Sequence, residues 1–566
     1  MTPTDSSQCL EQLAGEFWDL ECDAQPLAAL MAGEKLEHDA LFRESAADYE
    51  RRARRTAELS MALHAIGTDS LPLDERATWQ LLEHELTLTQ ELLAADAHRR
   101  PSLFPAGPEF APMYYANTVA LTDVASAERY AARLATVGSY LADIGDNLRA
   151  GYESGIRYPA ALLRRAAENV RAMLDTPIEQ TPWLKPFASA VTRSRRIEAA
   201  GEKVRVLVDQ SLRPALARYL ELLEGPLSAG ARDTLSCIDT PGGTAFYEAQ
   251  VRRFTTLRRA PEAIHRRGLE EIERLTEELK RVAAAAGYDG RLDQYRQFLE
   301  QDSRFLASSA EALREHAECV AKRADKRIPG FFGRIPRITY GIETIPEAVS
   351  LRMPPAYAQP NPADRSAPGI FWLTALPQRC PLYVLPSFVL HEAWPGHLMH
   401  LALMQEMQSL PKFRRHGGLK YSACLEGWAV YCESLGAEMG IYQTPHEHFG
   451  RLNSEMWRAA RLVIDTGIHW YGWTRERAIE FFTTHVSLSA DTIAAEVDRY
   501  AGLPAQALGY HLGADMIRGL RANAEQALGE RFNLRSFHDA VMGAGPVTLS
   551  LLEQLMGHWL ERQHGT

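Results

Sequence analysis

The chain has 566 residues, 46% hydrophobic and 24% charged, the balance of a soluble globular protein too long for one hydrophobic core. Its 62 Lys and Arg against 73 Asp and Glu leave a net charge of -11, which argues against nucleic acid as a partner. Seven scattered cysteines without a C-x-x-C pair argue against a disulfide framework or a thiolate zinc knuckle.

The opening MTPTDSSQCLEQLAGEFWDLE lacks a basic stretch followed by an apolar one, so the expected location is cytoplasmic. Residues 10–100 carry apolar positions three and four apart, as in ATWQLLEHELTLTQELLAADA, and predict amphipathic helices. PSLFPAGPEFAPMYY (101–115) reads as a structured connection, after which the helical pattern resumes. GPLSAGARDTLSCIDTPGG (225–243) mixes Gly, Pro, Ser and Thr, and it predicts a boundary between an N-terminal helical lobe (1–235) and a catalytic lobe (236–566). Pro261 opens a further helix from its first turn. Between about 335 and 375, IPRITYGIETIP and GIFWLTAL read as strands of a small sheet, joined by YAQPNPADRSAPG as a loop. Helices return from 383 onward. The most apolar short run, PLYVLPSFVL (381–390), is about half the length of a bilayer crossing, so no membrane partner is expected. The predicted fold is mainly α with a minor sheet.

The sharpest chemical signal is LHEAWPGHLMH (390–400), which puts His391, Glu392 and His397 within seven residues. In the zinc-peptidase pattern H-E-x-x-H the imidazoles lie about 40° apart around a helix and share one metal, with the glutamate facing its water. Here the second histidine is six residues on, about 240° around a regular helix, and would point away. The two extra residues are Pro395 and Gly396, the pair best able to break the helical ladder and swing His397 back. A carboxylate from a second helix is the expected third ligand. Glu426 in YSACLEGWAVYCESL, 29 residues after His397, ranks first, because Gly427 lets another backbone approach closely. Glu433, two turns on along the same face, is the reserve ligand or an acceptor behind one of the histidines.

HEAWPGH, EGWAVYCE, RLVIDTGIHWYGWT and AQALGYHLG together resemble the domain-of-unknown-function 885 family, itself similar to gluzincin-type zinc peptidases. GTAFYEAQVRRFTTLRRAPEAIHRRGLEEI and DRSAPGIFWLTA extend the resemblance over most of the chain beyond about residue 240. It implies a large helical zinc-peptidase-like body with a deep cleft and a small sheet beside the active-site helix. It also implies one Zn2+ held by His391, His397 and Glu426, with Glu392 as general base. His469 and Tyr510, in segments that carry the resemblance, are the expected oxyanion donors. One departure is His400, where the family commonly carries Gln, so His400 is expected at the substrate wall.

Arg458, Arg461, Asp465 and His469 are three, four and four residues apart and share a helix face. The arginines there could hold a substrate carboxylate bidentately, with Asp465 as a supporting acid; a plain solvated helix face is the competing reading. Phe371, Trp372 and Leu373 could offer a sheet edge to an extended peptide, with Trp372 touching it, although core packing explains them equally well. The expected activity is a zinc-dependent hydrolase of amide bonds, acting on short peptides because an enclosed helical cleft excludes folded ones. An amide hydrolase of small-molecule metabolism and a metal-free binding protein on the same scaffold are the alternatives. The sequence leaves a homodimer open.

Overall fold

The structure, a computed structural model, describes residues 3–36, 38–69, 71–105, 107–190, 194–289, 291–351, 353–362 and 365–564. It is mainly α, and its backbone contacts divide into two units. The first comprises Met1–Ala249, Ile468–Arg475 and Ala494–Pro504, and the second Gln250–Gly467, Glu476–Ile493 and Ala505–Thr566.

The first unit is built from amphipathic helices such as Val124–Leu134, Val137–Glu153, Ala160–Asp175 and Arg195–Leu207. Their apolar stripes meet in a core around Tyr130, Leu134, Leu148, Val170 and Val204. Asp123 caps the first of these helices by accepting from the Ser126 backbone N–H, one of the donors a helix start leaves unsatisfied. The Gly- and Pro-rich segment 225–243 does not separate the units. Arg232 donates its backbone N–H to Tyr158 O at 3.0 Å and accepts from Ala160 N at 2.9 Å, which ties the segment into the first unit. The boundary instead falls at Ala249–Gln250, inside the helix Gly243–Thr255, and two later segments return to the first unit.

The second unit begins with the long helix α1 (Pro261–Ala285), where Pro261 occupies the tolerated first-turn position. Its sheet has three strands, β1 (Tyr340–Thr344), β2 (Ala356–Gln359) and β3 (Gly369–Leu373), in the order β1-β3-β2. β2 is formed by the first residues of the expected loop. β3 lies in the centre, parallel to β1 and antiparallel to β2, so both sides of its backbone are already paired. Phe371–Leu373 therefore offers no free edge, and strand addition there is overturned.

Helices α2 (Leu385–Glu392) and α3 (His397–Glu406) pack on this sheet. α4 (Ser422–Glu438) is apolar almost all round and buried accordingly. α5 (Pro445–His469) follows, and α6 (Gly509–Leu528) lies against α4. The α4–α6 crossing is close because Gly427 and Gly513 face each other. A β-carbon on Gly427 would overlap the Gly513 backbone, and one on Gly513 would overlap Ala423 O. That is the close approach Gly427 was expected to permit.

Candidate metal centre

His391 and His397 come together across a complete helix break rather than a bend within one helix. α2 ends at Glu392, and Ala393 leaves helical geometry at φ -86°, ψ -131°. The chain passes through the cis Trp394–Pro395 peptide and restarts as α3 at His397. Gly396 makes the fold-back sterically possible, since a β-carbon there would run into the carbonyl oxygens of Leu390 and His391. Trp428 of α4 pins the turn by donating its indole N–H to Pro395 O at 2.9 Å.

The result gathers three ligand atoms. Glu426 Oε2 lies 3.4 Å from His391 Nε2 and 3.2 Å from His397 Nε2, and the two imidazole rings stand at 89° with centroids 4.8 Å apart. A tetrahedral site with bonds of about 2.0–2.1 Å separates its ligand atoms by about 3.3–3.4 Å, so these spacings fit one zinc-sized ion. Glu426 Oε2 is buried and has no hydrogen-bond partner among the described residues, an acceptor that a cation would satisfy. Glu392, the last residue of α2, brings a carboxylate oxygen within 4.8 Å of ligand atoms on both histidines.

Behind this group stands a polar support. His391 Nδ1 lies 2.8 Å from Glu433 Oε1; a carboxylate only accepts, so Nδ1 carries a proton and Nε2 is the nitrogen left to face Glu426 and any bound ion. The same Glu433 oxygen meets Arg458 Nη2 at 3.2 Å, while the Glu433 backbone carbonyl accepts from the Tyr442 hydroxyl at 2.7 Å. Burial alone would raise both acids. The Arg458 charge and His391 hold Glu433 low instead, and the two imidazoles hold Glu426 well below the usual carboxylate range. Burial would likewise lower His391, yet the carboxylates of Glu426 and Glu433 beside it push it up to about 9. One ionised carboxylate, Glu426, therefore faces both Nε2 atoms while a second, Glu433, stands behind His391, a negative environment that suits a cation. Glu426 and Glu433 differ in role as well as place, one facing both Nε2 atoms and the other only the back of His391.

The other expected site residues go elsewhere. Arg458 is 4% exposed and also bonds Ser454 Oγ at 2.8 Å, so it supports Glu433 and is not a substrate clamp. Arg461, equally buried, lies over the rings of Trp457 and Tyr510 at 4.6 and 4.3 Å. Asp465 accepts the Ala505 N–H with both oxygens, at 3.2 and 3.0 Å, and so fixes the approach to α6 rather than a metal ligand. The stripe is buried along its whole length, not solvated.

His469 is not an oxyanion donor. Its Nδ1 accepts from the Cys237 N–H at 3.2 Å and its Nε2 donates to Tyr500 O at 2.9 Å, which uses both ring nitrogens within the first unit. Its burial among these groups lowers its pKa to about 4. His400 is 1% exposed and packs on Trp428 with centroids 5.9 Å apart, so in this position it touches no substrate. Trp372 donates to Gln359 Oε1 at 2.8 Å and stacks on Tyr357 within the sheet. Tyr510 is half-buried on the first turn of α6, with the Arg461 guanidinium 4.3 Å over its ring. Reasoning from sequence missed Trp428 and Tyr442, the two side chains that pin the turn and Glu433; the Trp of the EGW segment, two residues after Glu426, was the available signal.

A second group, Glu271, His511 and Asp515, also brings possible ligand atoms within 4.8 Å. Its acids are already matched by guanidinium groups. Arg267 bonds Glu271 at 2.6 Å and Asp515 at 2.8 Å, and Arg274 bonds Glu271 at 2.7 Å. A cation there would face two positive charges at close range, which makes this the weaker metal site.

The fold and the cluster define a large helical protein with a two-histidine, one-carboxylate group at a helix break. The sequence profile of a family described as "Bacterial protein of unknown function (DUF885)" matches residues 26–556, and the chain belongs to that family. It is similar to a crystal structure described as the "putative lipoprotein from Colwellia psychrerythraea", with 26% identity, a TM-score of 0.92, and coverage of 98% of this chain and 99% of that one. A second structure, "a putative lipoprotein of unknown function from Shewanella oneidensis", shares the fold at a TM-score of 0.75 with 16% identity, covering 97% of this chain and 99% of that one. No curated protein matches the chain. Among the described residues, no helix is long and apolar enough to cross a membrane.

Proposed function

We propose that the protein is a zinc-dependent hydrolase of amide bonds, with short peptides as its substrates. One observation carries the reading: Glu426 Oε2 lies 3.4 and 3.2 Å from Nε2 of His391 and His397, the separations expected between ligands of one zinc ion, with the Glu392 carboxylate beside the histidines. When bound there, Zn2+ would acidify a water molecule and polarise the carbonyl of the scissile amide. Glu392 takes a proton from the attacking water and passes it to the leaving amine, so that water is consumed and an acid and an amine are released. Glu433 and Arg458 keep His391 in the tautomer that presents Nε2. Tyr510 stays as the oxyanion donor of this reading, now without His469. A cytoplasmic location belongs to the same reading, supported by seven free cysteines, and fractionation of the native cells tests it against the lipoprotein description of the two similar structures.

The test combines metal analysis with a dipeptide and tripeptide library. The parent is expected to hold one zinc per chain, His391→Ala none, and Glu392→Gln a full complement with turnover reduced by about 100-fold or more. A zinc-loaded parent that cleaves small-molecule amides but no peptide would move the substrate to the first alternative. A parent with no stoichiometric metal would leave a binding protein.

A further inference from the structure

The second unit also carries an open cavity of about 790 Å3 to which none of the proposed metal ligands contributes. Its volume lies in the range of about 300–1,000 Å3 typical of small-molecule sites. Arg274 of α1, Arg451 and Glu455 of α5, and Arg518 of α6 line it. Three guanidinium groups converge there on one buried carboxylate: Glu455 Oε1 meets Arg274 at 3.0 Å and Arg518 at 2.9 Å, and Oε2 meets Arg451 at 3.1 Å. Arg274 has two further acids, Glu271 and Glu278. Among the described residues Arg451 pairs only with Glu455, and Arg518 has Asp515 as its other acid, at 3.9 Å. Around Glu455 itself three guanidinium groups therefore share one carboxylate, within a lining whose arginines and acids otherwise balance. Arg451 Nε is also a buried donor with no hydrogen-bond partner among the described residues. Leu512, Met516 and Leu520 supply an apolar wall beside them.

We propose that this cavity binds a small organic carboxylate, whose acid is shared by Arg451 and Arg518 and whose apolar body rests on Leu512 and Met516. A planar carboxylate is the partner that guanidinium forks recognise, as Glu455 itself demonstrates here. The inference is independent of the metal centre and stands or falls without it.

Calorimetric titration of the full chain with N-acetylleucine and with inorganic phosphate tests it. N-acetylleucine is expected to bind the parent and to bind Arg451→Gln and Arg518→Gln at least about tenfold more weakly. Glu455→Gln removes the competing internal carboxylate and is expected to bind it more tightly, the opposite sign from the arginine variants. Met516→Asp lies outside the ion network and is expected to weaken binding at least about tenfold without lowering the melting temperature. His397→Ala and chelator treatment should leave the affinity unchanged. The proposal is overturned by no binding of N-acetylleucine at millimolar concentration, by phosphate binding as tightly, or by loss of binding in His397→Ala. Weakening by Glu455→Gln together with no effect of Met516→Asp would also overturn it, because the network would then be purely structural.

Discussion

HEAWPGH and the Arg458–His469 stripe both concentrate ionisable side chains on short segments, and both are buried; they differ in how their hydrogen bonds are closed. In the stripe, Arg458 is occupied by Ser454 and Glu433, Asp465 by the Ala505 N–H, and His469 by Cys237 and Tyr500. In the histidine cluster, Nε2 of each ring and Oε2 of Glu426 point at one another, and that oxygen has no hydrogen-bond partner. A buried polar group bonded to its neighbours stabilises the fold, whereas ligand atoms that converge on one point ask for a cation. The same contrast extends outward through Arg458, where the stripe meets the candidate metal centre: the arginine expected at the substrate holds Glu433, which stands behind His391, a proposed ligand.

The contrast is broken most severely at Gly396. Gly396→Ala would force a methyl group into the carbonyls of Leu390 and His391, parting the two helix ends that carry the ligands. Zinc affinity measured by competition with a chromophoric chelator should fall by more than about 100-fold, beyond the effect usual for a lost outer partner. Retention of parental affinity would show that the break does not set the ligand spacing. The next effect is smaller and sharper. Glu433→Gln keeps the shape behind His391 but removes the charge, and a loss of about 10–100-fold in zinc affinity is expected. Arg458→Met should weaken zinc by less, since it acts only through Glu433, and its effect should largely vanish in a Glu433→Gln background. Additive losses in the double variant would mean that Arg458 does not work through Glu433.

Much of the metal cluster was legible because its signals are local. The six-residue spacing, the Pro-Gly pair, the glycine after Glu426 and the two-turn offset to Glu433 each state a geometric requirement that the folded chain meets. β1 and β3 were legible from β-branched and aromatic residues, whereas β2 is four residues long and runs into Pro360, which hid it. The stripe shows where sequence reading stops. Spacing places Arg458, Arg461, Asp465 and His469 on one face, but periodicity alone does not tell whether that face meets water, a backbone or another ring. The unit boundary lies a few residues beyond the segment that predicted it, for a related reason. Gly and Pro in 225–243 mark turns, and only distant pairings such as Arg232 with Tyr158 reveal which unit those turns belong to.

The smallest expected effect tests the closed side of the comparison. His469→Gln can keep one acceptor and one donor for Cys237 and Tyr500, so zinc content and turnover should match the parent, with stability lowered by about 1–3 kcal/mol. The variant also removes a titration. In the folded chain burial holds His469 at about 4, whereas an unfolded chain protonates it near about 6.5. As pH falls from about 6.5 toward 4, the unfolded state takes up the proton first, so His469 makes stability decline by up to about 1.4 kcal/mol per pH unit; above about 6.5 the penalty is absent. Urea unfolding at pH 7 and pH 5 should therefore show a steeper loss in the parent than in His469→Gln, other groups cancelling between the two proteins. Parallel pH slopes would mean that this imidazole is not held neutral. A drop in turnover at unchanged stability would return it to the list of groups that meet substrate, and the distinction between closed and open polar groups would no longer separate structure from chemistry in this chain.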